Sequence, residues 1–208
     1  MNYNTFEGED MEIFIALIII AIIIAIVVAI RSVGGSVFEA PARRAGRIGE
    51  RQATNLIKEF LLQGDHIFTN VQIEYDGRPC ELDNVVVNKY GVFIIEVKTY
   101  KGRLYGGEED YEWKKYKDDG YGNTFEKNVK NPIKQVKRQI YILAKFLDYY
   151  GVKVWVNGYA FLLYGNSPVE SEYMILELND IGKKIHTPGR KYLTQNQIDA
   201  ICKLLSGE

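Results

Sequence analysis

The longest apolar run of the chain lies near its start. Eighteen consecutive residues, Ile13 to Ile30, are all Ile, Ala, Val, Leu or Phe, with no charge, glycine or proline among them. A helix of this length measures about 27 Å, close to the roughly 30 Å hydrocarbon core of a bilayer. A helix that is apolar on every face does not suit the surface of a water-soluble domain. The run predicts an uncleaved transmembrane helix; the alternative, a cleaved signal peptide, would have a basic start and a shorter apolar run.

The charges on either side of this run predict its orientation. Residues 1–12 hold four acidic side chains and no basic one, whereas four arginines follow the run: Arg31, Arg43, Arg44 and Arg47. Positive flanks stay on the cytoplasmic side of a membrane. We therefore expect a single-pass protein of the cell membrane, with an acidic tail (1–12) outside, an anchor (13–30) in the lipid bilayer, a basic linker (31–45), and a cytoplasmic domain (46–208).

After residue 46 the apolar positions follow helical and strand periods in turn. Helices are predicted at 47–63, at 132–150 with Asn131 as N-cap, and after Thr194. Strands are predicted at 66–75, 80–88, 92–98, 102–107, 111–117, 152–164 and 173–178. This order predicts an α/β fold, a mixed β-sheet flanked by helices.

Two of these strands are joined by the sequence Asn88-Lys89-Tyr90-Gly91, which predicts a hairpin turn. If the turn is a plain two-residue loop, the numbers of paired residues sum to 179, and Asp83 faces Glu96. A bulge at Gly91 would shift the register by one residue and break that match.

Charge and cysteine content narrow the class of protein. The 26 basic and 27 acidic residues nearly cancel, but without the acidic first twelve residues the rest of the chain has a net charge of +3. The two cysteines, Cys80 and Cys202, lie in no metal-binding spacing. A reducing compartment is indicated, and a structural zinc site is not.

Four ionisable residues lie in helices and strands whose other residues are mostly apolar and are predicted to be buried. Glu96 and Lys98 end an apolar strand and point to one face, Asp83 lies on the partner strand, and Glu50 falls on the apolar stripe of the first helix. Converging carboxylates are costly to bury unless a cation neutralises them, and carboxylate oxygens suit Mg²⁺ or Mn²⁺. A nearby lysine can orient or help to deprotonate a water molecule for metal-assisted phosphodiester hydrolysis. The alternative is a salt bridge at the sheet edge with no catalytic role.

An ordered set of motifs resembles the NERD (nuclease-related) domain. The set consists of Gly46-Arg47-Ile48-Gly49-Glu50, Leu82-Asp83-Asn84-Val85-Val86-Val87, Gly91 to Lys98, Gly102, Trp113, and Asn131-Pro132 with Gln135. It spans about residues 46–150, leaving 151–208 as C-terminal strands and helix.

NERD domains in turn resemble the PD-(D/E)xK nucleases, so the resemblance implies a restriction-endonuclease-like fold. It implies Asp83 and Glu96 as metal ligands, Lys98 as the water-orienting base, Glu50 as a further metal-binding or active-site carboxylate, and Gln135 as a polar residue of the site. Leu82 stands where the broader nuclease motif has proline.

The second long helix carries a basic stripe that could contact phosphates. Its members recur at helical spacing, with Lys127 and Lys130 just before them: Lys134, Lys137, Arg138, Tyr141 and Lys145. A solvated helix face is the alternative interpretation. The stretch Glu108 to Asp119 is predicted to be an exposed hairpin rather than a binding site, and His66 and His186 lack partners at metal-ligand spacing.

These features predict a membrane-anchored, Mg²⁺- or Mn²⁺-dependent endonuclease that hydrolyses phosphodiester bonds of nucleic acid, most plausibly DNA, on the cytoplasmic face. Two alternatives stay open. One is an inactive nuclease-fold module that works as a membrane-tethered binding or adaptor protein. The other is a basic module that holds DNA near the membrane without cutting it.

Overall fold

A computed structural model of the chain describes residues 18–20, 22–24, 41–187, 189 and 191–207, without the side chains of 41–45. Four helices and eight strands are labelled here in chain order. The helices are α1 (Pro41–Glu59), α2 (Pro132–Tyr149), α3 (Asp180–His186) and α4 (Gln195–Ser206). The strands are β1 (His66–Tyr75), β2 (Arg78–Asn88), β3 (Gly91–Lys98), β4 (Arg103–Tyr105), β5 (Glu112–Asp118), β6 (Thr124–Lys130), β7 (Val156–Leu162) and β8 (Met174–Ile175).

The larger of the two sheets is mixed. Its five strands lie in the order β1-β2-β3-β7-β8, antiparallel from β1 to β3 and parallel from β3 to β8. The smaller sheet is antiparallel, in the order β4-β5-β6. The predicted α/β architecture, a mixed sheet flanked by helices, is confirmed.

Alternate side chains of β3 face two different helical layers. Phe93, Ile95 and Val97 pack with Ala53 and Ile57 of α1 and with α3. Val92 and Ile94 face the opposite way and pack with α2 and α4. The strand is therefore buried on both faces, which explains its continuous apolar sequence.

The β2–β3 hairpin has the plain register, one of the two that the turn sequence left open. Asn88 pairs with Gly91, and each further pair up to Asn84 with Ile95 follows the same sum of 179. No bulge intervenes, so Asp83 stands at the level of Glu96, one step beyond the last paired residues.

Several element boundaries differ from the predictions. Helix α1 begins at Pro41, within the predicted linker, because proline fits the first turn of a helix. Strand β6 and helix α3 were not predicted, since β6 is almost wholly exposed and polar and α3 has only seven residues. Strand β8 spans two residues rather than the six predicted.

The predicted transmembrane helix lies mainly outside the described residues. Of the segment Ile13 to Ile30, the structure describes 18–20 and 22–24, which are helical. Within the described ranges, no helix combines the length and the apolar character needed to cross a bilayer. The structure therefore lends the predicted anchor no support.

Candidate active site

Two charged residues continue the row of β3 side chains that faces α2. After Val92 and Ile94, this row reaches Glu96 and Lys98 at the end of the strand. Glu96 is only 1% exposed. Burying a carboxylate this completely is costly unless hydrogen bonds and opposite charge compensate it.

Three donors surround the Glu96 carboxylate. Lys98 Nζ lies 2.5 Å from Oε1, and Gln135 Nε2 donates to the same oxygen at 2.6 Å. Gln139 Nε2 donates to Oε2 at 2.6 Å. A carboxylate has about four acceptor positions, so the described donors leave one of them open, on Oε2.

Gln139 is a site residue that the sequence analysis missed. It is 1% exposed, and its amide nitrogen also donates to the Glu81 carbonyl oxygen at 3.0 Å. Its own Oε1 is buried and has no hydrogen-bond partner among the described residues. The available signal was its position one helical turn after Gln135, on the same side of α2.

Asp83 lies beside Glu96 with a different environment. Its Oδ2 accepts a hydrogen bond from the Val97 backbone N–H at 2.8 Å. Burial, followed by repulsion from Glu96, raises the pKa of Asp83 to about 7. Folding therefore places beside Glu96 a carboxyl group that is only partly ionised at neutral pH.

The charged state of Lys98 is favoured by its surroundings. Burial by itself lowers the pKa of a lysine, but the Glu96 carboxylate outweighs this effect and raises the pKa of Lys98 above its ordinary value. A lysine held in the ammonium form donates hydrogen bonds and stabilises negative charge.

Glu50 reaches the site from α1 because that helix packs closely on the end of β3. A Cβ atom on the buried Gly49 would lie 2.1 Å from Thr99 Cγ2, so a glycine permits this approach. Burial raises the pKa of Glu50, and Lys98 partly opposes the shift. Glu50 is thus within the electric field of Lys98.

An open groove of about 620 Å³ runs past Asp83 between α1 and the first two strands. Its wall on the α1 side includes basic and polar side chains at helical spacing: Arg47, Arg51, Thr54, Asn55 and Lys58. The opposite wall includes Asn70, which has a left-handed φ of 53°. Asn70 stands opposite Asp83 in the β1–β2 sheet, but the two residues do not form a strand pair. Glu50 also lines this groove.

The basic stripe of α2 is partly neutralised within the chain. Lys134 pairs with Glu109 at 2.9 Å, and Lys137 pairs with Glu108 at 2.8 Å and Glu109 at 3.0 Å. Arg138 donates to the Pro79 carbonyl oxygen at 3.0 Å. The loop predicted as part of an exposed hairpin therefore folds onto α2, while Lys130 and Lys145 remain exposed.

The fit of a divalent cation can be judged from the oxygen donors. Asp83 and Glu96 supply carboxylate oxygens, and the unpartnered Oε1 of Gln139 is a further buried acceptor. These are the ligand types that Mg²⁺ and Mn²⁺ prefer. Among the described residues, however, no three His, Cys, Asp or Glu side chains lie close enough together to form a metal site. Glu50 therefore lines the groove without completing such a cluster.

The model of the nuclease-related domain, NERD, matches residues 45–163, which are more than half of the chain and include Glu50, Asp83, Glu96 and Lys98. The chain belongs to the NERD family. The resemblance stated from the motifs is thereby confirmed, and the family match supports a nuclease-related function.

One relative of this NERD protein is an uncharacterized protein of Bacillus anthracis. The two are 29% identical over 91 residues, which are 41% of this chain and 42% of the relative. The chain thus spans less than half of that relative's length. The comparison with solved structures found no match.

Two other motif residues of the NERD resemblance hold the small sheet and its loop in place. The Trp113 indole is fully buried and donates to the Gly107 carbonyl oxygen at 2.8 Å. Asn131 caps α2 through Ile133 N–H and donates to three carbonyl groups of the β4–β5 loop. These two residues position the loop that carries Glu108 and Glu109.

Proposed function

We propose that this NERD protein is a divalent-metal-dependent nuclease whose active site is formed by Glu96, Asp83, Lys98 and Glu50. The observation that carries the proposal is the buried Glu96 carboxylate. It lies beside a second carboxyl group with a raised pKa and a charged lysine, at an open groove with a basic wall. Perturbed ionisable groups of this kind cluster at catalytic sites. The resemblance to PD-(D/E)xK nucleases adds to this proposal.

Each residue has a defined task in phosphodiester hydrolysis. Asp83 and Glu96 would hold Mg²⁺ or Mn²⁺, which when bound polarises a phosphoryl oxygen and lowers the pKa of water. The Lys98 ammonium orients water by hydrogen bonding and stabilises the negative charge that builds up on the phosphate. Gln135 and Gln139 fix the orientation of the Glu96 carboxylate. Glu50, with its raised pKa, is the better placed carboxylate to accept a proton.

The groove beside Asp83 is the proposed path of the nucleic acid. Arg51 and Lys58 lie along one wall and could contact successive phosphates. This assignment replaces most of the α2 stripe as the binding surface, because Lys134 and Lys137 already have acidic partners. DNA is the most plausible substrate.

The decisive experiment compares Lys98→Ala with a matched control, Lys183→Ala. Both lysines pair with a carboxylate two or three residues away, but the Lys98 side chain is only 18% exposed whereas the Lys183 side chain is 78% exposed. Full-length proteins are assayed on single- and double-stranded DNA and RNA with Mg²⁺, Mn²⁺ or EDTA. We expect metal-dependent cleavage by the parent and by Lys183→Ala, and a loss of at least about 100-fold in Lys98→Ala.

Cleavage that persists unchanged in Lys98→Ala would contradict the mechanism. A folded parent that neither cleaves any substrate nor binds Mn²⁺ would contradict the proposed activity.

A second function is favoured by one feature of the site. Lys98, Gln135 and Gln139 already compensate Glu96 without a cation, as expected for an inactive nuclease-fold module that serves as a binding or adaptor protein. The two functions differ in Mn²⁺ affinity. The nuclease requires binding that weakens in Asp83→Ala and Glu96→Ala, whereas the inactive module requires none.

The location that we propose for this domain is the cytoplasmic face of the cell membrane. The support is the apolar run Ile13 to Ile30 and the arginine-rich segment that follows it. The full chain should float with vesicles in a density gradient and resist extraction at alkaline pH. Recovery of all the protein in the soluble fraction would contradict this location.

A further inference from the structure

A second pocket lies at the other end of β3 from Glu96. It has a volume of about 390 Å³, and we call it the aromatic pocket. The residues that define it are Tyr90, Lys153, Trp155, Lys191, Tyr192 and Leu193. Gly91, where β3 begins, also lines it, and Glu96 is five residues further along the strand. The pocket is therefore about 17 Å from Glu96 along β3 and distinct from the groove beside Asp83.

The aromatic rings of this pocket are unusually exposed. Trp155 is 69% exposed and Tyr192 is 62% exposed. Adjoining exposed aromatic side chains commonly mark a binding site, because such rings contribute most when a partner covers them. The other large indole of the chain, Trp113, is fully buried in the core.

These rings are also held in place. Trp155 Nε1 donates to Asn157 Oδ1 at 3.2 Å. The centroid of the Tyr90 ring lies 5.7 Å from that of Tyr192 and 5.9 Å from that of His186. Rings fixed in this way lose little conformational entropy when a flat ligand stacks on them.

The charge of the aromatic pocket is positive. Lys153 and Lys191 line it, and Lys89 Nζ lies 5.1 Å from the Tyr90 ring centroid. Within the described part of the chain, no aspartate or glutamate lines it. A ligand that complements this surface has flat aromatic groups and negative charge at short intervals.

We propose that the aromatic pocket binds single-stranded nucleic acid, with bases stacked on Trp155 and Tyr192 and phosphates contacted by Lys153 and Lys191. Unpaired bases expose the faces that such rings need, whereas the bases of a duplex are already stacked on each other. The site goes beyond the proposed nuclease chemistry, since binding here requires neither a metal ion nor Lys98.

The test measures binding of a fluorescently labelled short oligothymidylate to the full-length protein in EDTA, by anisotropy. Stacking on one aromatic ring predicts that Trp155→Ala weakens binding by about 5- to 100-fold. Trp155→Phe should retain most of the affinity. Tyr121→Ala should have no effect, because Tyr121 is 92% exposed but lies outside the pocket. Lys153→Ala should reduce the slope of log K against log salt concentration by about 1.

A second readout uses the emission of the parent protein, since Trp155 is the exposed tryptophan. The oligonucleotide should quench this emission in the parent and in Lys183→Ala alike, because Lys183 does not line the pocket. Equal affinity of Trp155→Ala and parent, or a preference for duplex, would overturn the proposal. A third result would also overturn it: the parent is a dimer, Trp155→Ala is monomeric, and oligonucleotide binding is unchanged. The pocket would then hold a second copy of the chain.

Failure here and failure of the proposed nuclease are separable. Normal cleavage that needs Lys98, together with no effect of Trp155→Ala on binding, would overturn only the aromatic pocket. Stacking at Trp155 with no cleavage would overturn only the nuclease.

Discussion

Helices α1 and α2 both carry basic residues near Glu96, but they use them differently. Helix α2 directs Gln135 and Gln139 onto the Glu96 carboxylate, and its lysines 134 and 137 pair with Glu109 and Glu108. Helix α1 approaches through Gly49 and lines an open groove with Arg51 and Lys58. Helix α2 therefore covers the Glu96 carboxylate, whereas helix α1 borders a groove that stays open to solvent.

This difference shows what periodicity alone cannot decide. Both helices present a cationic face at helical spacing. Only the chain that folds against each face determines whether those charges are paired within the protein or remain available to a ligand. The comparison can be tested by replacing, in turn, the Asp83 carboxylate, the two glutamines of α2 and the basic residues of each helix.

The largest expected effect is on stability and comes from Asp83, on the groove side of the site. Its pKa is about 7 in the folded chain against an ordinary value of 3.8, so the folded state holds this proton more tightly than the unfolded state. Raising the pH from about 4 to 7 therefore destabilises the fold. Asp83→Asn should remove this penalty and gain up to about 4 kcal/mol of unfolding free energy above pH 7, and nothing below pH 4.

Urea unfolding across this pH range measures the Asp83 effect. A matched control is Asp119→Asn, because a hydrogen bond from the Asn123 side chain lowers the pKa of the exposed Asp119. That replacement should not stabilise the protein. An Asp83→Asn variant no more stable than the parent at alkaline pH would be incompatible with the raised pKa.

The next effect compares the two glutamines of α2. Gln139→Leu leaves the buried Glu96 Oε2 and the Glu81 carbonyl oxygen without this donor, and should cost about 2–3 kcal/mol of unfolding free energy. Gln135→Leu should cost about 1 kcal/mol, because Gln135 is only half-buried and water can replace it. Chemical denaturation of the two variants checks the order, and equal losses would argue against a buried role for Gln139.

A smaller effect, on DNA binding, is expected to differ between the basic faces of α1 and α2. Arg51→Ala, in the α1 groove, should weaken DNA binding several-fold and reduce the slope of log K against log salt concentration by about 0.9. Lys137→Ala, on α2, should leave both nearly unchanged, because Lys137 is paired with Glu108 and Glu109. Binding is measured in EDTA to prevent cleavage. The reverse ranking would restore α2 as the nucleic-acid surface.

The smallest effect is expected from releasing the α2 lysines. Replacing Glu108 and Glu109 together by glutamine removes the partners of Lys134 and Lys137. DNA affinity should rise slightly, by less than the Arg51→Ala variant loses, because water and salt screen these exposed charges. The gain should disappear when Lys134→Ala and Lys137→Ala are added. A gain that survives those replacements would show that the lysines are not its cause.

Most of the local features were predictable from the sequence. The β2–β3 hairpin was predicted from its turn, whereas the choice between a plain register and a bulge at Gly91 stayed open until the structure paired Asn88 with Gly91. The NERD motifs identified the family that the match over residues 45–163 confirms. The catalytic roles of Glu50, Asp83, Glu96, Lys98 and Gln135 stay predictions, and so does the Mg²⁺ or Mn²⁺ cofactor, because the structure does not test them.

The features that were missed depend on contacts between distant segments. Gln139 was not predicted as a site residue, but it lies against Glu96, 43 positions earlier in the chain. The pairing of Lys137 with Glu108 spans 29 positions, and no short-range pattern marks it. Strand β6 was missed because a strand that is exposed on both faces has no alternating apolar signal.

The sequence by itself determined the elements whose causes are local: the cap of α2 at Asn131, the hairpin of β2 and β3, and the row that places Glu96 and Lys98 on one face. Tertiary structure alone decided which charges are compensated and which are left open. Periodicity and turn chemistry act over a few residues, whereas burial, pKa and charge pairing depend on what packs against a side chain. That is why Asp83 and Glu96, two neighbouring carboxylates, have such different surroundings.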